Sequence, residues 1–276
     1  RNYGRFAMIP ILEPSNQQEC YDITKYGFYL SEQLGLPIMI RMVTRLSHSR
    51  AGVEIGKRIA QNVIRLPKNP HQFQLIPIHA RNGYQHLVDL QSDTRESSEN
   101  SFFNSYIDGP NISMGIIASG IAYNYLMENF DDEDCPYPIL KISQYPLPKN
   151  LVKKLFNKCK KVLILEDGYP FIEEVLSDYF GESKKIMGRL TGHLNRVGEL
   201  NPDNISKALG FEVKITSEIP KIVSGRPPEL CIGCAHRDLF EAINQLKTEN
   251  NDQQVFGDIG CSALVNSPLS LVTSQN

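Results

Sequence analysis

Apolar and polar residues along this chain alternate between two periods. From Ser15 to Leu34 the apolar positions recur at helical spacing. Pro14-Ser15 offers a start with Gln18 three residues on, and Gly35 offers a stop, so the pattern predicts a helix. Leu36 to Val43 then runs Pro-Ile-Met-Ile-Arg-Met-Val, which reads as a strand. From about Gly52 to Asn111 the periodicity fades among Pro67, Pro70 and Pro77. This stretch reads as a connector with a helical part from His79 to Leu90 and a polar boundary over Gln91–Asn100. Order returns at Ile112. Strands are predicted over Ile112–Ala118, Pro138–Ser143 and Lys161–Leu165. Between and after them come helices from Gly120 to Asn129, Pro148 to Cys159, Phe171 to Phe180 and Asn201 to Leu209. Such alternation with short connections implies a parallel sheet covered on both faces. A linker over 218–228 leads to a helix at Asp238–Leu246 and a strand at Gln254–Phe256. The expected fold class is therefore α/β, in three-layer domains built on parallel sheets.

The 276 residues carry 29 Lys and Arg against 31 Asp and Glu, a net charge of −2. That balance argues against a nucleic-acid partner held by phosphate neutralisation and against a polybasic membrane surface. No apolar run approaches the roughly 18 residues of a membrane span, and Arg1–Phe6 lacks the apolar core of a signal peptide. Six cysteines form no disulfide framework, which points to a reducing, cytoplasmic setting. Cys20, Cys135 and Cys159 are scattered, while Cys231, Cys234 and Cys261 gather near the end.

Those last three carry the clearest chemistry. Cys231-x-x-Cys234 at a loop-to-helix junction puts two thiols on one side of a turn, where a helix N-terminus favours the thiolate. With Cys261, three sulfurs suit an iron–sulfur cluster lacking one ligand from this segment. His236 could instead complete a zinc site of three Cys and one His. The same residues can also cycle as a disulfide, or simply pack. Gly257-Asp258-Ile259-Gly260-Cys261 lies at a predicted strand end, where Gly257 and Gly260 would let a ligand approach the backbone and free N–H groups could hold an anion. Other polar groups read as structural: Ser47-His48-Ser49 as a strand-end loop with capping serines, Glu166-Asp167 as a turn capping the next helix, Glu173-Glu174 as a solvated first turn, and Tyr123 and Tyr125 as packing residues.

Arg226-Pro227-Pro228-Glu229-Leu230-Cys231-Ile232-Gly233-Cys234-Ala235-His236-Arg237, followed by Gly257–Cys261, resembles the start of the thiamine-diphosphate-binding domain of indolepyruvate ferredoxin oxidoreductase alpha subunits. Leu12–Glu19 and Thr44–Arg50 resemble that family's pyrimidine-side domain, and Gly198–Pro202 its middle domain. Ile232 and Ala235 stand where the family usually has prolines, and no Gly-Asp-Gly metal motif occurs. The resemblance implies an internal fragment, inactive alone, divided as 1–51 (end of the pyrimidine-side domain), 52–110 (connector), 111–217 (transketolase C-terminal-like α/β domain) and 224–276 (start of the diphosphate-side domain). It implies oxidative decarboxylation of an arylpyruvate to aryl-acetyl-CoA, with electrons passed to ferredoxin. Thiamine diphosphate, Mg²⁺ and a [4Fe–4S] cluster would be the cofactors of the full-length enzyme. A beta subunit, ferredoxin and coenzyme A would be its partners. Gly257, Asp258, Gly260, Cys261 and His236 would lie near the cofactor, with Cys231, Cys234 and Cys261 as metal ligands. The alternatives are a non-catalytic iron–sulfur or zinc module and a subunit-docking α/β domain.

Overall fold

A computed structural model of the chain describes residues 1–58, 60–61, 63, 68–130, 135–180, 186–213, 222, 230–249 and 260–261. Two compact units, Arg1–Lys214 and Ile215–Asn276, divide it. The first unit opens with α1 (Asn2–Ala7), β1 (Ile11–Leu12), α2 (Gln17–Leu34), β2 (Met39–Ile40) and α3 (Thr44–His48). A 3-10 turn (Pro70–Phe73), α4 (Pro77–Asp89) and α5 (Gln91–Glu99) lead to β3 (Ser105–Ile107), β4 (Gly115–Ser119), α6 (Ile121–Met127), β5 (Ile139–Ile142) and β6 (Gln144–Tyr145). The unit continues with α7 (Lys149–Lys158), β7 (Val162–Leu165), α8 (Phe171–Phe180), β8 (Ile186–Met187) and α9 (Pro202–Leu209). In the second unit the described helix is α10 (Ala235–Glu249).

The α/β class holds. Five strands form a sheet in the order β3-β5-β4-β7-β8, parallel except for the antiparallel edge strand β3. Alternate residues of its central strands face opposite sides. Ile117, Leu140, Ile142, Val162 and Ile164 pack with Val152, Leu155 and Phe156 of α7 and Ile172 and Leu176 of α8. Ile116, Ala118, Ile139, Leu163 and Leu165 pack with Ile121, Ala122 and Leu126 of α6 and Ile205 of α9. Because both faces are covered, these strands read as nearly continuous apolar runs, interrupted in β5 by Lys141, which pairs with Glu19. Each fully buried Leu or Ile here contributes about 1.5–3 kcal/mol through lost water contact.

The sheet is not wholly parallel in its surroundings, as the alternation alone implied. A second, three-stranded sheet runs β2-β1-β6, with β6 antiparallel to β1. The chain passes from one sheet to the other within two residues, leaving β5 at Ile142 and entering β6 at Gln144. Buried Asn104 fixes that step. Its carbonyl oxygen accepts the N–H groups of Ser143 (2.8 Å) and Gln144 (2.9 Å), and its amide donates to the carbonyls of Gln144 (3.0 Å) and Ser98 (2.9 Å). The switch thus leaves none of these backbone groups unpaired, as burial demands.

Several boundaries shift. The N-cap of α2 is Asn16, whose side chain accepts from Glu19 N, while the Glu19 carboxylate takes the N–H and hydroxyl of Ser15. Gln18 instead grips the extended chain beyond α3, accepting Glu54 N at 2.8 Å. Gly35 closes α2 in the left-handed conformation. Gln91–Glu99, read as a polar boundary, is helix α5: Thr94 and Ser98 are buried on one side, and the Ser98 hydroxyl donates to Gln144 O at 3.1 Å. The short strands β1, β3 and β8 are too brief for periodicity to reveal. The predicted strand Gln254–Phe256 lies outside the described residues.

Candidate functional site

In the second unit, Cys231 and Cys234 flank a tight turn that enters α10. Cys234 N donates to Cys231 O (3.2 Å), and Gly233 between them has φ 74°, a left-handed conformation that suits glycine. Arg237 braces the turn, its Nε donating to Cys231 O at 3.0 Å and its Nη2 to Leu230 O. Cys234 Sγ lies 3.3 Å from His236 Nδ1, and the His236 ring stacks beside Phe240 with centroids 6.5 Å apart. The helix begins at Ala235, three residues before the predicted Asp238. Cys231 and Cys261 are exposed and Cys234 half-buried. Gly260 has φ 155° and open space where a side chain would stand. Gly257 and Asp258 lie outside the described residues. The structure therefore brings Cys234 and His236 together. Among the described residues no group of three or more His, Cys, Asp or Glu side chains is placed to hold a metal ion, so Cys231, Cys234, His236 and Cys261 do not make up such a donor set here.

The first unit holds a second polar centre that the sequence pattern did not single out. It sits at the carboxyl ends of β1, β4 and β7, the edge where parallel sheets leave N–H groups and helix starts available. Glu13, directly after β1 and 2% exposed, is its hub. Arg1 meets it with two hydrogen bonds, Nε to Oε2 at 2.8 Å and Nη2 to Oε1 at 2.7 Å. Arg41, just beyond β2, pairs with the same Oε1, and the Tyr145 hydroxyl donates to Oε2 at 3.0 Å. Gly120, at the end of β4, has φ 53°, and a methyl group there would come within 2.7 Å of Glu13 Oε1; the glycine makes room for the carboxylate.

Arg1 also reaches Glu166 Oε2 (2.9 Å) and Ser119 Oγ (3.1 Å). Glu166 follows β7 and accepts the N–H groups of Ile172 and Glu173, both at 3.0 Å, so its expected role in capping the next helix is present alongside the ion pair. Asp167 accepts Leu200 N at 3.0 Å and lies 3.6 Å from the buried Arg189 guanidinium. Burial pushes the Glu13 carboxyl upward, but Arg1 and Arg41 outweigh it and hold it below its ordinary value. Glu166 goes the other way: burial raises it despite Arg1 and two backbone N–H groups. Burial also pushes the Tyr145 phenol well upward, so it stays a donor to Glu13.

Beside this network opens a polar cleft of about 310 Å³, lined by Arg41–Arg45, Ile121, Tyr125, Asp167, Glu199 and Leu200. Arg45 and Glu199 pair across its mouth at 2.9 Å, both well exposed. Ser47–Ser49 lies next to it as the end of α3, not as a strand-end loop: the hydroxyls of Ser47 and Ser49 bond back to Val43 O and Leu46 O, and His48 is exposed. Glu173 is not solvated. It is 1% exposed and accepts the N–H groups of Leu190 (2.9 Å) and Thr191 (3.3 Å) across a gap that Gly188 leaves open. Tyr125 packs in the core and Tyr123 is partly buried against it, as expected. The signal for the missed hub was a single acid between an apolar pair and Pro14-Ser15, at a strand end too short to detect.

Compared with known proteins, 96% of the chain aligns at 34% identity with the indolepyruvate oxidoreductase subunit IorA of Methanothermobacter thermautotrophicus. The same subunit of Archaeoglobus fulgidus is 34% identical over 98% of the chain, and that of Pyrococcus horikoshii 33% over 99%. The chain belongs to the indolepyruvate oxidoreductase IorA family. It spans about 45% of the length of these curated relatives. No protein-family model matches it. A solved 2-oxoglutarate:ferredoxin oxidoreductase from Magnetococcus marinus, with 2-oxoglutarate, coenzyme A and succinyl-CoA bound, superposes on 65% of the chain and 38% of its own length at TM-score 0.41 and 14% identity. Among the described residues no helix is long and apolar enough to cross a membrane.

Proposed function

We propose that the chain is part of the alpha subunit of a ferredoxin-linked oxidoreductase that decarboxylates arylpyruvates and delivers the acyl group to coenzyme A. The observation that carries this reading is the alignment with IorA subunits over nearly the whole chain. The order of the motifs, Leu12–Glu19, Thr44–Arg50, Gly198–Pro202 and Arg226–Cys261, agrees with it. Thiamine diphosphate, held with Mg²⁺ in the assembled enzyme, supplies the carbanion chemistry that the side chains here cannot. A [4Fe–4S] cluster of the full-length enzyme would supply one-electron chemistry toward ferredoxin, and a beta subunit would complete the assembly.

This chain's contribution is to bind and orient. The Gly257–Cys261 segment, with Asp258 and Gly260, is proposed to approach the diphosphate, with His236 near the cofactor. Cys231, Cys234 and Cys261 are proposed to line the cofactor or to join a cluster when further ligands are supplied. The described residues do not form the metal site, so no step is routed through it. The buried Arg1–Glu13–Arg41 network is proposed to hold the carboxyl edge of the first unit rigid around the polar cleft.

The test is to purify the full-length protein with its beta subunit without oxygen, and to follow reduction of a low-potential acceptor with indolepyruvate and coenzyme A. Activity that requires added thiamine diphosphate supports the reading. Absence of thiamine-dependent turnover with indolepyruvate, phenylpyruvate and hydroxyphenylpyruvate overturns it.

A further inference from the structure

A cavity of about 490 Å³ opens in the first unit between α1, α5, α7 and α8, within the size range of small-molecule sites. Its floor is aromatic. Tyr145 and Phe171 meet edge to face, with centroids 6.0 Å apart and planes at 69°. The Tyr145 hydroxyl is committed to Glu13, so the phenol is anchored in the ion network while its ring lines the cavity. Ile11, Val152 and Leu176, all buried, complete the apolar walls. The rim is different in kind. Four exposed cations, Arg5, Arg95, Lys149 and Lys153, line the cavity against a single acid, Asp178.

An apolar, aromatic floor under a cationic rim selects a ligand with the opposite polarity pattern. We propose that this cavity binds a small aromatic carboxylate, with its rings against Tyr145 and Phe171 and its carboxylate toward Arg5, Arg95 and Lys153. Two aromatic edges reward a flat ring beyond the area it buries. The excess of cations attracts an anion and disfavours a neutral or cationic body of the same shape. The rings are held from behind by the Glu13 network and by the start of α8, so the floor is formed before a ligand arrives. No residue of the Cys231–His236 turn takes part, so the proposal stands or falls separately from the thiamine reading.

Equilibrium dialysis of the full chain against 2-naphthoate, 2-naphthamide and decanoate tests it. Saturable 2-naphthoate binding, weakened at least tenfold in the double variant Arg5→Glu/Lys153→Glu while 2-naphthamide binding stays unchanged, is the expected result. Both substituted positions are exposed, and a melting temperature equal to the parent's shows that the variant folds. No saturable binding of 2-naphthoate overturns the proposal. Equal binding by parent and folded variant overturns the role of the rim. Tighter binding of decanoate than of 2-naphthoate overturns the aromatic class in favour of an aliphatic chain.

Discussion

The Glu13 network and the Cys231–Cys234 turn are both polar centres at the edge of a secondary-structure element, yet they are built on opposite principles. The turn is local: its hydrogen bonds join residues no more than seven apart, and its sulfurs and imidazole are largely open to water. The network is long-range: Arg1, Glu13, Arg41, Tyr145 and Glu166 come from five separate places in the chain and are mostly withdrawn from water. A local, exposed centre can change its occupants without disturbing the fold. A buried, interlocked one cannot lose a member without leaving a charge uncompensated.

That contrast can be tested by removing one member of each. Glu13→Ala leaves the Arg1 and Arg41 guanidinia without their shared carboxylate, and unfolding by denaturant should show a loss of about 3–5 kcal/mol. Asn104→Ala, in the neutral part of the same unit, leaves the Ser143 and Gln144 N–H groups unpaired, and the same measurement should show about 2–3 kcal/mol. Gly120→Ala forces a methyl toward Glu13 at a left-handed position and should cost about 2 kcal/mol. Cys234→Ser, in the turn, should change stability by no more than about 0.5 kcal/mol. A loss at Cys234 comparable to that at Glu13 would erase the distinction.

Acidity sharpens it further. Glu13 is held below its ordinary 4.5, so its contribution is present above that value and disappears as the pH falls toward its folded-state value. Glu166 is held above 4.5, so its ionisation costs the folded state as the pH rises from 4.5 through the folded value. Stability curves against pH should therefore flatten on the acid side in Glu13→Gln and above 4.5 in Glu166→Gln. Matching curves for the two variants would contradict the opposite signs.

The same distinction explains what could be seen from the residues alone. The apolar run Val162–Leu165, and Ile139–Ile142 broken only by Lys141, announced central strands because both their faces are buried, and Pro202 and Gly210 marked the start and stop of α9. The Cys-x-x-Cys turn was visible because its chemistry lies within four residues. Glu13 and Glu173 were not, because their partners arrive from distant segments and a buried acid looks like a solvated one until those partners are placed. Helix α5 was hidden by its own polarity: Gln91–Glu99 has no apolar stripe, and its buried positions are hydroxyls that bond to backbone carbonyls.

The Asn104 clamp has a mechanical consequence. One amide side chain grips the backbone on either side of the point where the polypeptide changes sheets, so the first forty residues cannot slide past the five-stranded layer as a separate plate. A pull applied near β1 crosses to β6 through their ladder hydrogen bonds and the Glu13 N–H to Ser143 O bond, and only from there passes into β5 along the chain that this clamp grips.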